Sequence, residues 1–220
     1  MIRNVIFDLG GVLLSVDWEV RFRHCNLSGE RKERVRKATI ASSDWLLLNQ
    51  GMEEEAVFKK MAAGDPEMEP EIREFLKSFA GVVKARDYAR EWVRILKEAG
   101  LKVFILSNFS RRSAADNRRE LEFLSETDGV VFSFEAGTIK PHKEIYDLLL
   151  CRYSLVPGEC VFLDDRRDNL EAAKAQGIEG ILFTSQEEAA AKLQELLSIE
   201  LPYIYTKDSR KRSSDSESIL

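Results

Sequence analysis

The sequence predicts an α/β fold, with a Rossmann-like parallel sheet as its core and a helical cap inserted after the first strand. Three observations predict this fold. Short, continuous apolar runs recur along the chain, amphipathic segments lie between them, and one long stretch after the first run has no strand pattern. Continuous apolar runs are typical of strands buried on both faces, as in a parallel sheet. Strands that alternate with helices favour a layered α/β domain.

Four apolar runs are the candidate strands, and a fifth run is weaker. They cover residues 5–7, 103–106, 160–163 and 181–183, with the weaker run at 130–132. Helical patterns separate these runs. Tyr88, Trp92 and Ile95 repeat at helical spacing before Gly100, and glycine often follows the end of a helix. Pro141 suits the first position of another helix.

Residues 17–85 interrupt the alternation of strands and helices. They contain charged, amphipathic, helix-like segments without a strand pattern, so we expect a helical cap here. The α/β core would then comprise residues 1–16 and 86–206. Residues 207–220 are polar, rich in serine and poor in apolar side chains, and we expect them to form a disordered tail.

Composition narrows the classes of function. The 220 residues carry a formal net charge of −5, which disfavours nucleic acid as a partner because binding to its phosphate backbone needs a basic surface. Cys25, Cys151 and Cys160 lack metal-binding spacing and are interpreted as reduced thiols. Neither a secretory signal nor an apolar run of about 20 residues is recognisable, so a cytoplasmic protein without membrane contact is expected. The sequence identifies no protein partner.

Polar side chains follow three of the apolar runs, at the points where strands would end. Asp8 follows the first run, Ser107 follows the second, and the pair Asp164-Asp165 follows a later one. Lys140 precedes the helix predicted from Pro141. Ligands of open α/β sheets bind outside the carboxyl ends of the strands, so these side chains are expected to meet at one edge.

Such a set of side chains suits phosphoryl transfer to a protein carboxylate. Carboxylate oxygens are preferred ligands of Mg²⁺, which keeps other positions for water and phosphate. The Ser107 hydroxyl can donate to phosphate oxygens, and the Lys140 ammonium can neutralise charge on the phosphoryl group. An aspartate in line with phosphorus can act as nucleophile.

Four segments of the chain resemble motifs of a known family. Residues 5–13, 106–108, 140–141 and 162–169 resemble, in order, the four motifs of the haloacid dehalogenase superfamily. The chain is most similar to the branch that contains bacterial α-D-glucose-1-phosphate phosphatase and the phosphatase domain of soluble epoxide hydrolase. The resemblance covers about residues 2–197. It implies a Mg²⁺-dependent phosphatase that hydrolyses a small phosphorylated metabolite, such as a sugar phosphate, through an aspartyl-phosphate intermediate.

The resemblance also implies which residues bind the metal. Asp8 would be the nucleophile and a Mg²⁺ ligand, and the backbone carbonyl of Gly10 would be a second ligand. Asp165 would be a third ligand, with Asp164 supporting the metal directly or through water.

A second group of residues would bind the substrate phosphate. Ser107 and Asn108 would contact the transferring phosphoryl group, and Lys140 would hold the nucleophile Asp8 and the phosphate together. Asn169 either contacts phosphate or starts its helix, and both interpretations stay open at this point.

Gly10 departs from the pattern of the family. Most phosphatases of the superfamily carry a second aspartate at this position, which acts as general acid and base. Losing such a group typically costs about a hundredfold to ten-thousandfold in rate. We therefore expect a preference for leaving groups that need little protonation, as in sugar 1-phosphates, acyl phosphates or aryl phosphates. Asp17 is either a substitute acid or a carboxylate at a helix N-terminus.

Three other functions fit parts of the pattern. A metal-independent dehalogenase also lacks the second aspartate, but has little reason to keep Asp164-Asp165. A phosphomutase relies on the acid and base that Gly10 removes. A catalytically silent binding protein with this fold would account for Gly10, but not for the presence of Asp8, Lys140 and Asp165.

The cap is expected to determine substrate specificity. Its aromatic residues Trp18, Trp45 and Phe58 are expected to pack between cap helices rather than to line a substrate pocket. Arg111-Arg112, in the core, is expected on a solvated helix face.

Overall fold

The computed structural model describes residues 1–198, and seven strands lie within them. The strands are β1 (Asn4–Phe7), β2 (Leu14–Val16), β3 (Val83–Ala85), β4 (Lys102–Ser107), β5 (Gly129–Phe132), β6 (Cys160–Asp164) and β7 (Glu179–Leu182). Five of them form one parallel sheet in the order β5-β4-β1-β6-β7. The predicted α/β class is confirmed, and the weak run at 130–132 is the edge strand β5.

Eleven α-helices lie in the same part of the chain. They are α1 (Glu19–His24), α2 (Gly29–Ala38), α3 (Trp45–Asn49), α4 (Glu54–Gly64), α5 (Glu69–Leu76), α6 (Ala89–Glu98), α7 (Arg111–Asp116), α8 (Ser133–Ala136), α9 (Lys143–Arg152), α10 (Arg167–Ala175) and α11 (Gln186–Leu197). Short 3₁₀ segments cover Pro66–Met68, Arg118–Glu126 and Pro157–Glu159. Helix α6 follows the predicted apolar spacing, and Gly100 lies just beyond it with φ of +83°.

The central strand β1 separates two apolar layers. Successive side chains of a strand point to opposite faces, so Val5 and Phe7 belong to one layer and Ile6 to the other. Phe7 packs edge-on against Trp92 of α6, with 4.8 Å between ring centroids. Because all four residues of β1 are buried, the position that follows the strand is fixed within the core.

The order of the strands places β1 at the switch point of the sheet. The chain runs outward from β1 through β4 to β5, then crosses to β6 on the other side of β1 and continues to β7. The register pairs Phe7 with Ile105 of β4 and with Leu163 of β6. The carboxyl ends of these three strands therefore lie side by side, where doubly wound sheets bind their ligands.

Helices α1 to α5 lie between β2 and β3, which pair antiparallel with Val16 opposite Val83. The expectation that residues 17–85 contain no strand is wrong, because β3 lies at the end of this range. The sequence does not reveal this strand, since three residues are too few to show an alternating pattern. Trp18 packs between Trp45 and Phe79, with ring centroids 5.0 and 5.3 Å away.

The proposed boundaries at 16/17 and 85/86 stay predictions. The predicted tail at 207–220 lies outside the described residues.

Two further expectations from composition can be compared with the structure. Cys25, Cys151 and Cys160 are free thiols, as predicted. No helix within residues 1–198 is both long and apolar enough to cross a bilayer. The cytoplasmic location itself stays a prediction.

Candidate active site

Asp8 lies directly beyond the central strand, at the meeting point of three strand ends. Its backbone N–H donates to the carbonyl of Leu163 at 2.9 Å, which continues the hydrogen bonding between β1 and β6 by one residue. The residue is 7% exposed, so its carboxylate is almost withdrawn from water. Ser107, the last residue of β4, forms a hydrogen bond to this carboxylate. The sheet thus brings Asp8 and Ser107 together, as the sequence predicts.

Lys140 joins the carboxylates of two different strand ends. Its Nζ lies 2.8 Å from Oδ1 of Asp8 and 2.7 Å from Oδ2 of Asp164. The ammonium also lies over the ring of Phe162, 5.1 Å from the centroid. All three charged residues are buried. An ammonium held between two buried carboxylates fixes their separation and compensates part of their charge.

Asn108 determines where the backbone of Lys140 lies. Its Oδ1 accepts from the Lys140 N–H at 2.8 Å, and its Nδ2 donates to the Lys140 carbonyl at 2.9 Å. Both ends of this amide are therefore used to position the lysine. The helix predicted to open at Pro141 begins only at Lys143, because His142 keeps extended backbone angles and serves as the residue before the helix.

Asp164 is the most deeply buried carboxylate of the site. Its two oxygens accept from Lys140, from Nδ2 of Asn169 at 3.0 Å to each oxygen, and from the Arg166 N–H at 2.8 Å. Tyr146 donates its hydroxyl to the Asn169 carbonyl at 2.8 Å. The Nδ2 group of Asn169 is thus directed at Asp164 and helps to position this carboxylate, while the predicted phosphate contact of Asn169 stays a prediction.

Asp165 lies above the turn that follows β1. A β-carbon on Gly11 would collide with the Asp165 carboxylate, and Gly11 has φ of +78°, a conformation that favours glycine. Gly11 therefore makes the room in which Asp165 approaches Asp8. Sequence reasoning included Gly11 in the first motif without assigning it a role, because steric room beside a distant residue leaves no pattern in the chain.

The electrostatics of the site follow from burial and from an excess of carboxylates. Burial raises the pKa of Asp8; Lys140 opposes this effect and the Asp164 charge adds to it. Burial, and then the neighbouring Asp164, raise the pKa of Asp165. Burial disfavours the Lys140 ammonium, yet the attraction of Asp8 and Asp164 together raises the pKa of this lysine. The lysine is accordingly the fixed positive charge of the site.

The residues present fit a hard divalent cation such as Mg²⁺. Asp8, Asp164 and Asp165 each offer a carboxylate oxygen, and these oxygens lie within 4.8 Å of one another. Three carboxylates face one ammonium, so the cluster carries excess negative charge that a divalent ion would balance. Oxygen is the ligand type that Mg²⁺ prefers. The ligand role of the Gly10 carbonyl stays a prediction.

Gly10, the position at which the general acid and base is missing, has room for a side chain. A β-carbon on Gly10 would meet only Val16, at 3.8 Å, and Gly10 does not have a positive φ. Asp17 does not take the place of the missing aspartate, because its carboxylate accepts from the Glu19 N–H at 2.9 Å and lies 3.8 Å from Arg23. Of the two interpretations of Asp17, the structure favours the carboxylate at a helix N-terminus.

The sequence profile of a known family covers most of this chain. The profile described as haloacid dehalogenase-like hydrolase matches residues 2–177, which include Asp8, Ser107, Lys140 and Asp165. The chain belongs to the haloacid dehalogenase-like hydrolase family. This membership confirms the resemblance read from the four motifs.

This hydrolase is similar in sequence to several curated proteins. It is 24% identical over 221 residues to D-ribitol-5-phosphate phosphatase of Bacteroides thetaiotaomicron, covering 91% of this chain and 99% of that protein. It is 32% identical over 103 residues to the phosphorylated carbohydrates phosphatase of Thermotoga maritima, covering 47% of this chain and 48% of that protein. It is 28% identical over 178 residues to mouse bifunctional epoxide hydrolase 2, covering 77% of this chain.

The hydrolase spans only part of three curated relatives, between 19% and 48% of their length. For epoxide hydrolase 2 the share is 31%.

A solved structure from Bacteroides thetaiotaomicron has a similar fold. It is a haloacid dehalogenase family enzyme in complex with magnesium and inorganic phosphate. The TM-score is 0.65 at 22% identity, with 84% of this chain and 96% of that chain covered.

One arginine that the sequence assigned to a solvated face lies elsewhere. Arg112 pairs with Glu54 of α4 and donates to the Lys77 carbonyl at 3.0 Å, so it connects α7 of the core to the cap. The expectation of a solvated face is therefore wrong for Arg112. Phe58 packs as expected but also lines a cavity beside Arg112. Neither placement could be read from the sequence, because both depend on how the cap docks.

Proposed function

We propose that this hydrolase is a Mg²⁺-dependent phosphatase that acts on a small phosphomonoester through Asp8. One observation carries the proposal. Lys140 lies between Asp8 and Asp164, and the open carboxylate of Asp165 completes an oxygen cluster beside the same aspartate. A nucleophile that must meet an anionic phosphoryl group needs this balance of fixed positive charge and metal-binding oxygens.

In the first step, a carboxylate oxygen of Asp8 forms a bond to phosphorus while the bond from phosphorus to the ester oxygen breaks. The leaving oxygen departs with the electron pair and takes its proton from water, because Gly10 supplies no acid. The buried ammonium of Lys140 keeps Asp8 oriented and balances charge on the phosphoryl oxygens. Ser107 donates its hydroxyl to one of those oxygens, and Asn108 keeps Lys140 in place.

In the second step, water attacks phosphorus and releases inorganic phosphate, and Asp8 is regenerated as a carboxylate. Asp8 and Asp165, with the Gly10 carbonyl, would hold Mg²⁺, while Asp164 supports them from the buried side. When bound, the ion neutralises charge on the phosphoryl group as it is transferred. Asp164 is held by Lys140, Asn169 and the Arg166 N–H, so it adds rigidity rather than an open coordination position.

The names of relatives support the phosphatase and leave the substrate open. They include phosphatases of phosphorylated carbohydrates and of D-ribitol 5-phosphate, and also a sesquiterpene phosphatase from Aspergillus oryzae. The sugar 1-phosphate suggested by Gly10 stays a prediction. A metal-independent dehalogenase is disfavoured because it would leave the Asp165 carboxylate, unlike Asp164 with its Lys140 partner, without a cation to balance it.

The proposal is tested with p-nitrophenyl phosphate, whose leaving group needs no acid. Phosphate release should require Mg²⁺, stop with EDTA and fall to background in Asp8→Asn. The matched control is Asp17→Asn, an exposed carboxylate outside the cluster, which should retain activity. Halide release from 2-chloropropionate in EDTA, with no phosphate release in Mg²⁺, would show that the protein is a dehalogenase and not a phosphatase. Equal activity of Asp8→Asn and the unmodified protein would refute the role of Asp8.

A further inference from the structure

A cavity of about 410 Å³ lies between the cap and the core. The cap side comes from α3, α4 and α5, and the core side comes from the start of α7. Its size is within the range of sites that bind small organic ligands. None of the residues assigned to phosphoryl transfer lines it.

The wall of the cavity begins a short distance along the chain from Ser107. Ser110 forms part of this wall and follows Ser107 by three residues. Three residues of extended chain span at most about 11 Å, so the wall begins within that distance of the predicted phosphate site. Gly51, on the cap side, comes so close to the Phe134 carbonyl that a β-carbon there would collide with it. The cap is thus in direct contact with the core beside the cavity.

The surface offered by the cap to this cavity is largely apolar. The apolar lining consists of Leu48, Met52, Phe58, Leu76 and Phe79. Most of these side chains belong to the apolar core of the cap and are well withdrawn from water, while Met52 is 40% exposed. Apolar surface of this kind is stabilised by covering it with an apolar ligand.

The charged groups around the cavity mostly have partners within the protein. Arg73 makes two hydrogen bonds to Glu55, at 3.0 and 3.1 Å, and stacks on Phe58 with 3.7 Å from its guanidinium carbon to the ring centroid. Arg112 pairs with Glu54. The Ser110 hydroxyl donates to Ser113 at 2.9 Å.

Apart from one serine, the polar side chains of this cavity are charged, and two not yet described also have partners. Lys77 pairs with Glu74, and the Glu53 carboxylate accepts from the backbone N–H groups of Glu55 and Ala56. A polyol placed here would lose its hydrogen bonds to water and find few free partners, which costs free energy for each unpaired hydroxyl. A hydrocarbon chain or ring has no such cost.

We propose that this cavity binds the leaving group of the phosphomonoester substrate, and that this leaving group is an apolar chain or ring. The inference rests on the proposed phosphatase function, because it places the phosphate at Asp8 and the organic part in the cavity. An aryl leaving group also satisfies the expectation from Gly10, since it departs without an acid. The proposal therefore favours apolar and aryl phosphates over sugar phosphates.

The test uses phenyl phosphate and its 4-methyl, 4-propyl and 4-pentyl derivatives. A 4-alkyl group hardly changes the acidity of the phenol, so the series varies apolar surface alone. The ratio kcat/KM should rise by about fourfold for each methylene buried, the fold-change that corresponds to about 0.8 kcal/mol, until the cavity is filled. A flat or falling series with sustained turnover of phenyl phosphate would overturn the proposal while the phosphatase function stands.

Two matched variants locate the effect. Met52→Lys introduces a charge into the cavity and should abolish most of the gain with chain length. Leu46→Lys changes a similarly exposed cap side chain, 44% against 40% exposed, that does not line the cavity, and should preserve the gain. Identical chain-length dependence in the two variants would contradict the assignment.

A binding measurement separates this proposal from the proposed function. The matching 4-alkylphenyl phosphonates cannot be hydrolysed, and calorimetry gives their affinity whether or not the protein is an active phosphatase. Affinity that rises with chain length and loses this dependence in Met52→Lys supports the cavity, even if no phosphate ester is hydrolysed. Affinity independent of chain length refutes it.

Discussion

The carboxylate of Asp165 occupies the space that a β-carbon on Gly11 would need. Gly11 also has φ of +78°, so glycine is required there for two independent reasons. The turn after β1 and the end of β6 are therefore matched to each other across the carboxylate cluster.

Gly11→Ala should weaken Mg²⁺ binding, because the new methyl group forces Asp165 away from Asp8. We expect a tenfold to hundredfold higher Mg²⁺ requirement for phosphatase activity, about the cost of disturbing groups that orient metal ligands. Gly100→Ala is the matched control. It has φ of +83° and nothing within 4 Å of its β-carbon position, so it carries the backbone strain alone. A Mg²⁺ requirement raised equally in both variants would contradict this account of Gly11.

Gly10→Asp should improve turnover of esters with poor leaving groups. The backbone at Gly10 accepts a side chain, and its nearest neighbour would be Val16 at 3.8 Å. A general acid contributes about a hundredfold to ten-thousandfold, so the rate for an alkyl phosphate should rise by up to this factor while that for p-nitrophenyl phosphate changes little. The comparison of kcat for the two substrates decides. Equal changes for both esters would show that protonation of the leaving group does not limit the reaction.

Lys140→Met should destabilise the protein in the absence of metal. The substitution leaves buried Asp8 and Asp164 without their shared cation, and loss of one partner from a buried ion pair costs about 3–5 kcal/mol. Added Mg²⁺ should recover more stability in Lys140→Met than in the unmodified protein, which urea unfolding with and without Mg²⁺ measures. Lys143→Met removes an exposed lysine paired with Asp147 and should change little. Equal unfolding midpoints for both variants would be contrary to this prediction.

Cys151 should react with iodoacetamide well before Cys160. Cys151 is exposed, whereas Cys160 is fully buried and burial raises its pKa to about 11. Because alkylation needs the thiolate, Cys160 should remain unlabelled at pH 8 while Cys151 is modified. The labelling of Cys160 should increase as the pH rises toward the pKa of this thiol, since below that pKa the sulfur keeps its proton. Mass spectrometry of the peptides checks the order, and early labelling of Cys160 would contradict it.

Much of the fold and the chemistry of the site could be predicted from local sequence. Buried parallel strands leave continuous apolar runs, and the residues that follow them meet because strand ends share an edge. The features that sequence reasoning missed depend on long-range geometry. The fit of Asp165 over Gly11 and the docking of Arg112 on Glu54 each join residues that are far apart in the chain and that no periodic pattern connects.

The cap illustrates the same limit. Its helices could be predicted from amphipathic spacing, but the strand pair β2 and β3 could not, because each strand has only three residues. The aromatic packing of Trp18 with Trp45 agrees with the expectation that large side chains are buried. That Phe58 also lines a cavity follows only from the way α3, α4 and α5 face the core.

Asp8 should become phosphorylated during turnover. The most direct measurement is acid quenching of the protein with p-nitrophenyl phosphate and Mg²⁺, followed by peptide mass spectrometry. The peptide that contains Asp8 should gain the mass of one phosphoryl group, and this gain should be absent with EDTA and in Asp8→Asn. Steady phosphate release by Asp8→Asn, at the rate of the unmodified protein and without any phosphorylated peptide, would contradict this expectation.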